Sequence, residues 1–420
     1  MARDNRGMNR DLWVRLHRWL GLGLAIFLFS CGLTGSLLAF REPLQHWLSP
    51  PPAVAPRQAP VLDAIALRER LLAQRPDVTV SYVRLDTPAP DRAHLTWVNP
   101  TAAGTRLDHR ALWQDPTTGA VIGPAQPHTG LWPITRDNAM DTVYALHYHL
   151  ALPGVWGERA KTLLGLAALG WVITAVIGIV LTWPAAKRQP TGKAGSNTAL
   201  KTAWWRRWAP AWQLKRGASA YRRITDLHRA GSLWLWGLML VIAWTAVGFN
   251  LPGHLYERVM GRVFGYAPEA LAEGSAASPV MPWPDALARA RAAMAAAAQR
   301  DGFTVQHESA FRHEPNNHRF VYDVASSRDL NPHHGRTTLA IDDHDGRPLG
   351  LYLPTGQHAG VTVDHWLKSF HMARIGGTAG QVLVSAIGLF VAFLSVSGVY
   401  LWWKKRQGRV AARRLQRQRA

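Results

Sequence analysis

Four apolar runs constrain this chain more than any other feature. Residues 19–40, 162–183, 230–250 and 380–403 contain no charged side chain. Each is long enough to cross a hydrocarbon core of about 30 Å as a helix. In lipid the backbone N–H and C=O groups must be paired within the segment, so such runs are helical. A histidine lies upstream of each run: His17, His147, His228 and His371. Two of these sit in near-copies of one motif, LHRWLGL at residues 16–22 and DLHRAGSLW at residues 226–234.

Charge orients the runs. The formal net charge is +21, and segments 1–18, 184–229 and 404–420 account for all of it. Each of these segments abuts an apolar run, which is the positive-inside pattern. The chain therefore reads as a cytoplasmic N-terminus (1–18), helix one (19–40), an external segment (41–161) and helix two (162–183). A basic cytoplasmic loop (184–229), helix three (230–250), a second external segment (251–379), helix four (380–403) and a basic cytoplasmic tail (404–420) complete it. No folded reading module accompanies the basic segments, so the expected partner is the inner leaflet and not nucleic acid. Trp204, Trp205, Trp208 and Trp212, interleaved with arginines, fit contact with anionic lipid. The first run exceeds the roughly 7–15 residues of a signal-peptide core, and Ala39-Phe40-Arg41 is a poor cleavage site, so it reads as a retained helix. Cys31 is the only cysteine. It excludes an intrachain disulfide and Cys-based metal centres, and reads as a small packing residue.

Both external segments carry mixed α+β patterns. After a Pro/Ala-rich linker at 50–60, residues 61–75 have helical spacing, and 78–83 and 94–98 alternate as strands. Residues 113–121 read as strand, Asp-Pro-Thr-Thr-Gly turn, strand. In the second segment, residues 284–300 predict an Ala-rich helix, 320–324 and 337–341 predict strands, and Asp342 to Gly346 repeat the turn. Asp115 and Asp342 are thus expected to form turns. The halves repeat with parallel topology. The predicted fold is an integral membrane, all-α four-helix transmembrane bundle with two external α+β domains.

Ionisable side chains at membrane depth are costly and mark function by default. Topology puts His17 and His228 at the cytoplasmic ends of helices one and three, and His147 and His371 upstream of helices two and four on the outer side. Two histidine pairs at opposite faces of a helical bundle match axial ligation of haem iron by neutral imidazole. His149 competes with His147; two residues apart on a helix, only one points inward. Leu152-Pro153-Gly154 separates both from helix two, which puts them on a separate interfacial segment. Glycines including Gly21, Gly32, Gly35, Gly237, Gly388 and Gly398 would let a macrocycle, or a neighbouring helix, approach the backbone. His313, His318, His333 and His334 read as solvated, and His358 and His365 as candidate lining of an external pocket. No HExxH, nucleophile–base pair or GxGxxG sequence supports hydrolysis or a resident nucleotide domain.

Together with LHRWLGL and DLHRAGSLW, the stretches QDPTTGAVI (114–122), ALHYHL (145–150), and FHMARIGG (370–377) before VSGVYLWWKK make the chain resemble the PepSY-associated transmembrane family over nearly its whole length. The resemblance implies a bacterial inner-membrane protein with two periplasmic PepSY-like domains. It further implies a link to iron uptake, in some members as ferric-siderophore reductases carrying two b-type haems. His17, His147, His228 and His371 match the family's motif histidines. Met372-Ala373 stands where the family usually has a glycine soon after the histidine.

The expectation is a transmembrane electron conduit with two haem b groups, fed by a cytoplasmic or quinol donor and reducing a ferric siderophore or other Fe(III) chelate. The alternative is a non-enzymatic membrane protein binding a periplasmic peptidase or uptake partner. A transporter is disfavoured, since no run shows a charged residue or an obvious break.

Overall fold

The computed structural model describes residues 5–55, 57–101, 107, 109–125, 131–184, 204–251, 255–266, 271–331 and 335–419. His333, His334 and residues 185–203 of the basic loop lie outside the described residues. Two compact units result. One comprises residues 1–39, 143–256 and 370–420, and the other residues 40–142 and 257–369.

The first unit is helical. Its segments, or those that lead into it, are α1 (Asn5–Leu38), α2 (Ala139–His149), α3 (Gly154–Thr182), α4 (Ala220–Asp226), α5 (Trp236–Asn250), α6 (Ala359–His371) and α7 (Gly377–Arg419). Three helices, Arg10–Leu38, Gly154–Thr182 and Gly377–Arg419, are long and apolar enough to cross a membrane, and a bent pair brings the number to four. The helices outrun the predicted apolar stretches. Thus His17 lies well inside α1 and not ahead of it.

The bent pair corrects the expectation of an unbroken third helix. α4 passes into a π-turn at Leu227–Gly231, then a short turn Ser232–Trp234. At Leu235 (φ −103°, ψ 6°) the chain bends by 72° before α5. A π-turn disrupts the regular ladder, and Gly231 within it lowers the cost of a kink. Gly231 also lets the Phe390 ring pack against the backbone, since a methyl there would stand 2.5 Å from it.

Close crossings hold this unit together. Gly32 and Gly388 face one another, and a Cβ on Gly32 would stand 2.6 Å from the Gly388 carbonyl oxygen. Small residues allow such approach between apolar helices. Met239, Ile387 and Val391 form a buried cluster, with Leu28, Trp171, Ile242 and Phe390 packed on it, so α1, α3, α5 and α7 all contribute.

The second unit is α/β. Its strands are β1 (Val78–Thr79), β2 (Tyr82–Arg84), β3 (His94–Trp97), β4 (Asn99–Pro100), β5 (Ala111–Gln114), β6 (Val121–Ala125), β7 (Val305–Glu314), β8 (Arg319–Ser326), β9 (Thr337–Asp342) and β10 (Pro348–Tyr352). The two external segments were expected as two domains. They instead share one five-stranded antiparallel sheet, ordered β10-β9-β8-β7-β2. β2 of the first segment pairs with β7 of the second, Val83 opposite Phe311. One core joins them as well: Leu71, Val78 and Leu112 pack in a single cluster with Trp283, Leu287, Phe311 and Phe320. A helix on two or three short strands buries too little apolar surface alone, and pooling enlarges the core.

Local signals behave as their chemistry dictates. The helix Ala64–Gln74 starts at Asp63, whose carboxylate accepts the Ala66 N–H at 2.8 Å. The helix Trp283–Asp301 ends at Gly302, with φ 65°. Asp115 accepts from the Thr117 and Thr118 N–H groups at 2.8 and 3.0 Å, and Gly119 closes that turn at φ 72°. Asp342 accepts from the N–H and hydroxyl of Ser275 and from the His344 N–H.

Candidate functional site

The four motif histidines all fall in the helical unit, on different segments. His17 is in α1, His147 in α2, His228 in the π-turn, and His371 at the end of α6. Each ring is half-buried.

Three of the rings share one hydrogen-bond arrangement. His147 Nδ1 lies 2.9 Å from Thr34 Oγ1 of α1. His228 Nδ1 lies 2.8 Å from Ser397 Oγ of α7. His371 Nδ1 lies 2.7 Å from Thr245 Oγ1 of α5. Each hydroxyl already donates its proton to a carbonyl of its own helix: Thr34 to Ser30, Ser397 to Leu394, Thr245 to Val241. A hydroxyl has a single proton; with it given to the helix carbonyl, the hydroxyl accepts from the ring, and Nδ1 is assigned the hydrogen. His371 Nδ1 also reaches the Ile242 carbonyl at 3.2 Å, which accepts only. Nε2 is then the nitrogen with the free lone pair. Among the described residues no hydrogen bond reaches Nε2 of any of the four.

His17 departs from this arrangement. It lies over α3, where a Cβ on Gly178 would stand 3.5 Å from its Cε1. Its Nδ1 is buried facing the Thr174 backbone and has no hydroxyl partner.

Glycine spacing supports the same seats. A Cβ on Gly35 would come within 3.1 Å of His147 Cε1, and one on Gly398 within 3.5 Å of His228 Cε1. These glycines therefore admit an imidazole against the neighbouring helix. Gly32 and Gly388 serve the helix crossing, whereas Gly21 and Gly237 face open space.

The internal repeat reappears in space. Within the first half, His17 lies on α3 and His147 on α1. Within the second half, His228 lies on α7 and His371 on α5. Across the halves, His17 lies in the neighbourhood of His228, and His147 in that of His371.

Other predicted residues fall elsewhere. His149 ends α2 with its Nδ1 buried and unpartnered, its ring edge-on to Tyr148, and Gly157 against it. Leu150 and Ala151 then take left-handed conformations (φ 56° and 57°) before α3, so α2 is indeed separate from the long helix. His313 corrects the expectation of a solvated side chain. Its Nε2 is 2.8 Å from Asp343 Oδ2, and its ring lies against Phe320. His318 is half-buried in a left-handed turn (φ 48°), His358 is exposed and His365 half-buried. Among the described residues no group of three or more His, Cys, Asp or Glu is placed to hold a metal ion.

Sequence reasoning missed the three hydroxyls and Asp226. Thr34-Gly35 and Ser397-Gly398 carry a readable signal, a hydroxyl followed by glycine inside an apolar run. Asp226 is fully buried ahead of His228. It pairs with Arg222 at 3.1 Å and Arg229 at 2.9 Å and accepts the Lys215 N–H. Arg229 in turn donates to the carbonyls of Pro210 and Ala211, which ties residues 209–216 to the π-turn.

Such helices, joined to an α/β unit, define an integral membrane protein with helices plus sheets. The chain belongs to the family described as the PepSY-associated TM region, which matches residues 14–405. No curated protein matches it.

Proposed function

We propose that this protein is an inner-membrane di-haem electron conduit that reduces a periplasmic ferric chelate, of the siderophore class, and so releases Fe(II) for uptake. The observation that carries the reading is the repeated histidine geometry. Three imidazoles on different segments have Nδ1 against a hydroxyl and Nε2 without a hydrogen bond, and each motif histidine lies in the neighbourhood of its counterpart in the other half. A neutral imidazole oriented through its Nδ1–H is the usual form of an axial ligand. His17 and His228 would hold one haem b, and His147 and His371 the other. His149 ends α2 two residues beyond His147 and is not seated on a hydroxyl, which favours His147 as the ligand. Bound haem supplies one-electron transfer, and the protein's own residues position it and exclude water.

Reduction of Fe(III) to Fe(II) takes one electron per iron from a cytoplasmic or quinol donor, and hard oxygen ligands release the product more readily. That step needs no acid–base residue of the chain. The break at Leu235 revives the transporter reading only weakly, because no charged side chain lies between Ala230 and Asn250 and, among the described residues, no other pair of spanning segments is bent in this way.

The test is a reduced-minus-oxidised visible spectrum of the detergent-purified protein with a pyridine haemochrome count. Two b-type haems per chain, falling to one in His17→Ala, are expected. A chain that carries no haem after haem-replete expression overturns the reading in favour of a non-enzymatic protein that binds a periplasmic peptidase or uptake partner.

A further inference from the structure

We infer that Thr34, Thr245 and Ser397 are positioning residues that hold His147, His371 and His228 as the Nδ1–H tautomer with Nε2 presented for ligation. The inference rests on the haem reading above and assigns a role to residues outside the histidine motifs. A hydroxyl at 0–6% exposure in an apolar helix is costly unless bonded. Each of the three satisfies its donor on its own helix, so none requires the histidine for its own proton. Each hydroxyl stands 2.7–2.9 Å from a histidine Nδ1 on a neighbouring segment and, with its own proton committed, offers that nitrogen an acceptor.

Two consequences follow from this geometry. A proton on Nδ1 leaves Nε2 unprotonated, which is the state a metal-binding imidazole needs. The bond also fixes the ring plane and strengthens the donor character of Nε2 toward Fe(III). Thr174 on α3 provides the internal contrast. Its hydroxyl donates to Trp171 and makes no bond to His17, so it has no part in this arrangement.

The variants are Thr34→Val, Thr245→Val and Ser397→Ala, with Thr34→Ser and Thr245→Ser as rescues and Thr174→Val as the control. In the purified full-length protein, each hydroxyl deletion should weaken haem retention about tenfold. It should also raise the midpoint potential of the affected haem and broaden its low-temperature ferric EPR signal. The serine variants should recover all three, and Thr174→Val should change none.

A second measurement does not require haem. Nitrogen-15 NMR of histidine-labelled, haem-free protein should show the Nδ1–H tautomer at His147, His228 and His371, lost at His147 in Thr34→Val and at His228 in Ser397→Ala but kept at His371 in Thr245→Val, where the Ile242 carbonyl at 3.2 Å still accepts. Wild-type protein with two haems but with unchanged potentials, EPR and tautomers in the deletions overturns this inference and leaves the haem reading intact. Protein with the stated tautomers but no haem overturns the haem reading and, with it, the ligand-positioning role.

Discussion

Gly388→Ala tests whether the glycines of the long helices serve packing. A methyl group on Gly388 would stand 2.7 Å from the Gly32 carbonyl oxygen and 2.5 Å from Ser36 Oγ. The carbonyl belongs to the α1 backbone, and Ser36 is held there by its bonds to the Gly32 and Ser385 carbonyls. Neither can swing aside as a flexible side chain would. The helices must part, at a cost of about 1–3 kcal/mol for overpacking. Alanine's better helix propensity offsets up to roughly 1 kcal/mol. Gly237 is the control, because a methyl there meets nothing within 4 Å. Gly237→Ala should therefore gain roughly 0.5–1 kcal/mol. The two variants should differ by roughly 2 kcal/mol in thermal unfolding followed by tryptophan fluorescence in one detergent. Gly32→Ala should resemble Gly388→Ala, and the double variant should fall short of additive, since both methyls part the same crossing. Gly388→Ala protein as stable as Gly237→Ala would refute the close-crossing argument.

Acid and protease report on two other features. Burial pushes the Asp342 carboxyl up, but hydrogen bonds from Ser275, His344 and Asp345 outweigh it and hold the group well below the usual carboxylate range. Its folded pKa is depressed, so its contribution is complete above the unfolded value near 3.9 and drains away as pH falls below it. The α/β unit should lose stability between about pH 5 and pH 2 in urea titrations. Asp342→Asn should be less stable at pH 7 with a shallower acid slope, and an unchanged slope would count against the assignment. Asp226→Ala should free residues 209–216, at a local cost of about 1–3 kcal/mol, moderated because Arg222 is half-exposed. Tryptic cleavage after Lys215 or Arg216 should quicken, and an unaltered rate would show that Asp226 does not tie the segment down.

Local features were legible because the signals are local. The Asp115 and Asp342 turns depend on groups a few residues apart, and the structure shows each. The break at Leu235 was hidden, because residues 230–250 carry the composition of an uninterrupted span. The His313–Asp343 pair was hidden for another reason. Strands β7 and β9 bring the two together across 30 residues of sequence, and composition registers only a polar stretch. Asp226 read as one acid among many bases until its burial made it the hub of the loop.

By itself, the sequence determined that apolar runs must become helices, because unpaired backbone is prohibitive in lipid. It also determined the repeat of the halves and the four histidines that stand out from apolar surroundings. Only the tertiary structure decided which hydroxyl meets which imidazole. Thr34 and His147 are 113 residues apart, and Ser397 and His228 are 169 apart. Their 2.9 and 2.8 Å contacts arise from how closely the segments cross and how each is rotated, and Gly35 and Gly398 leave room there for the rings. The merging of segments 41–161 and 251–379 into one sheet was likewise tertiary, since β2 finds its partner in β7 only when the pooled core forms.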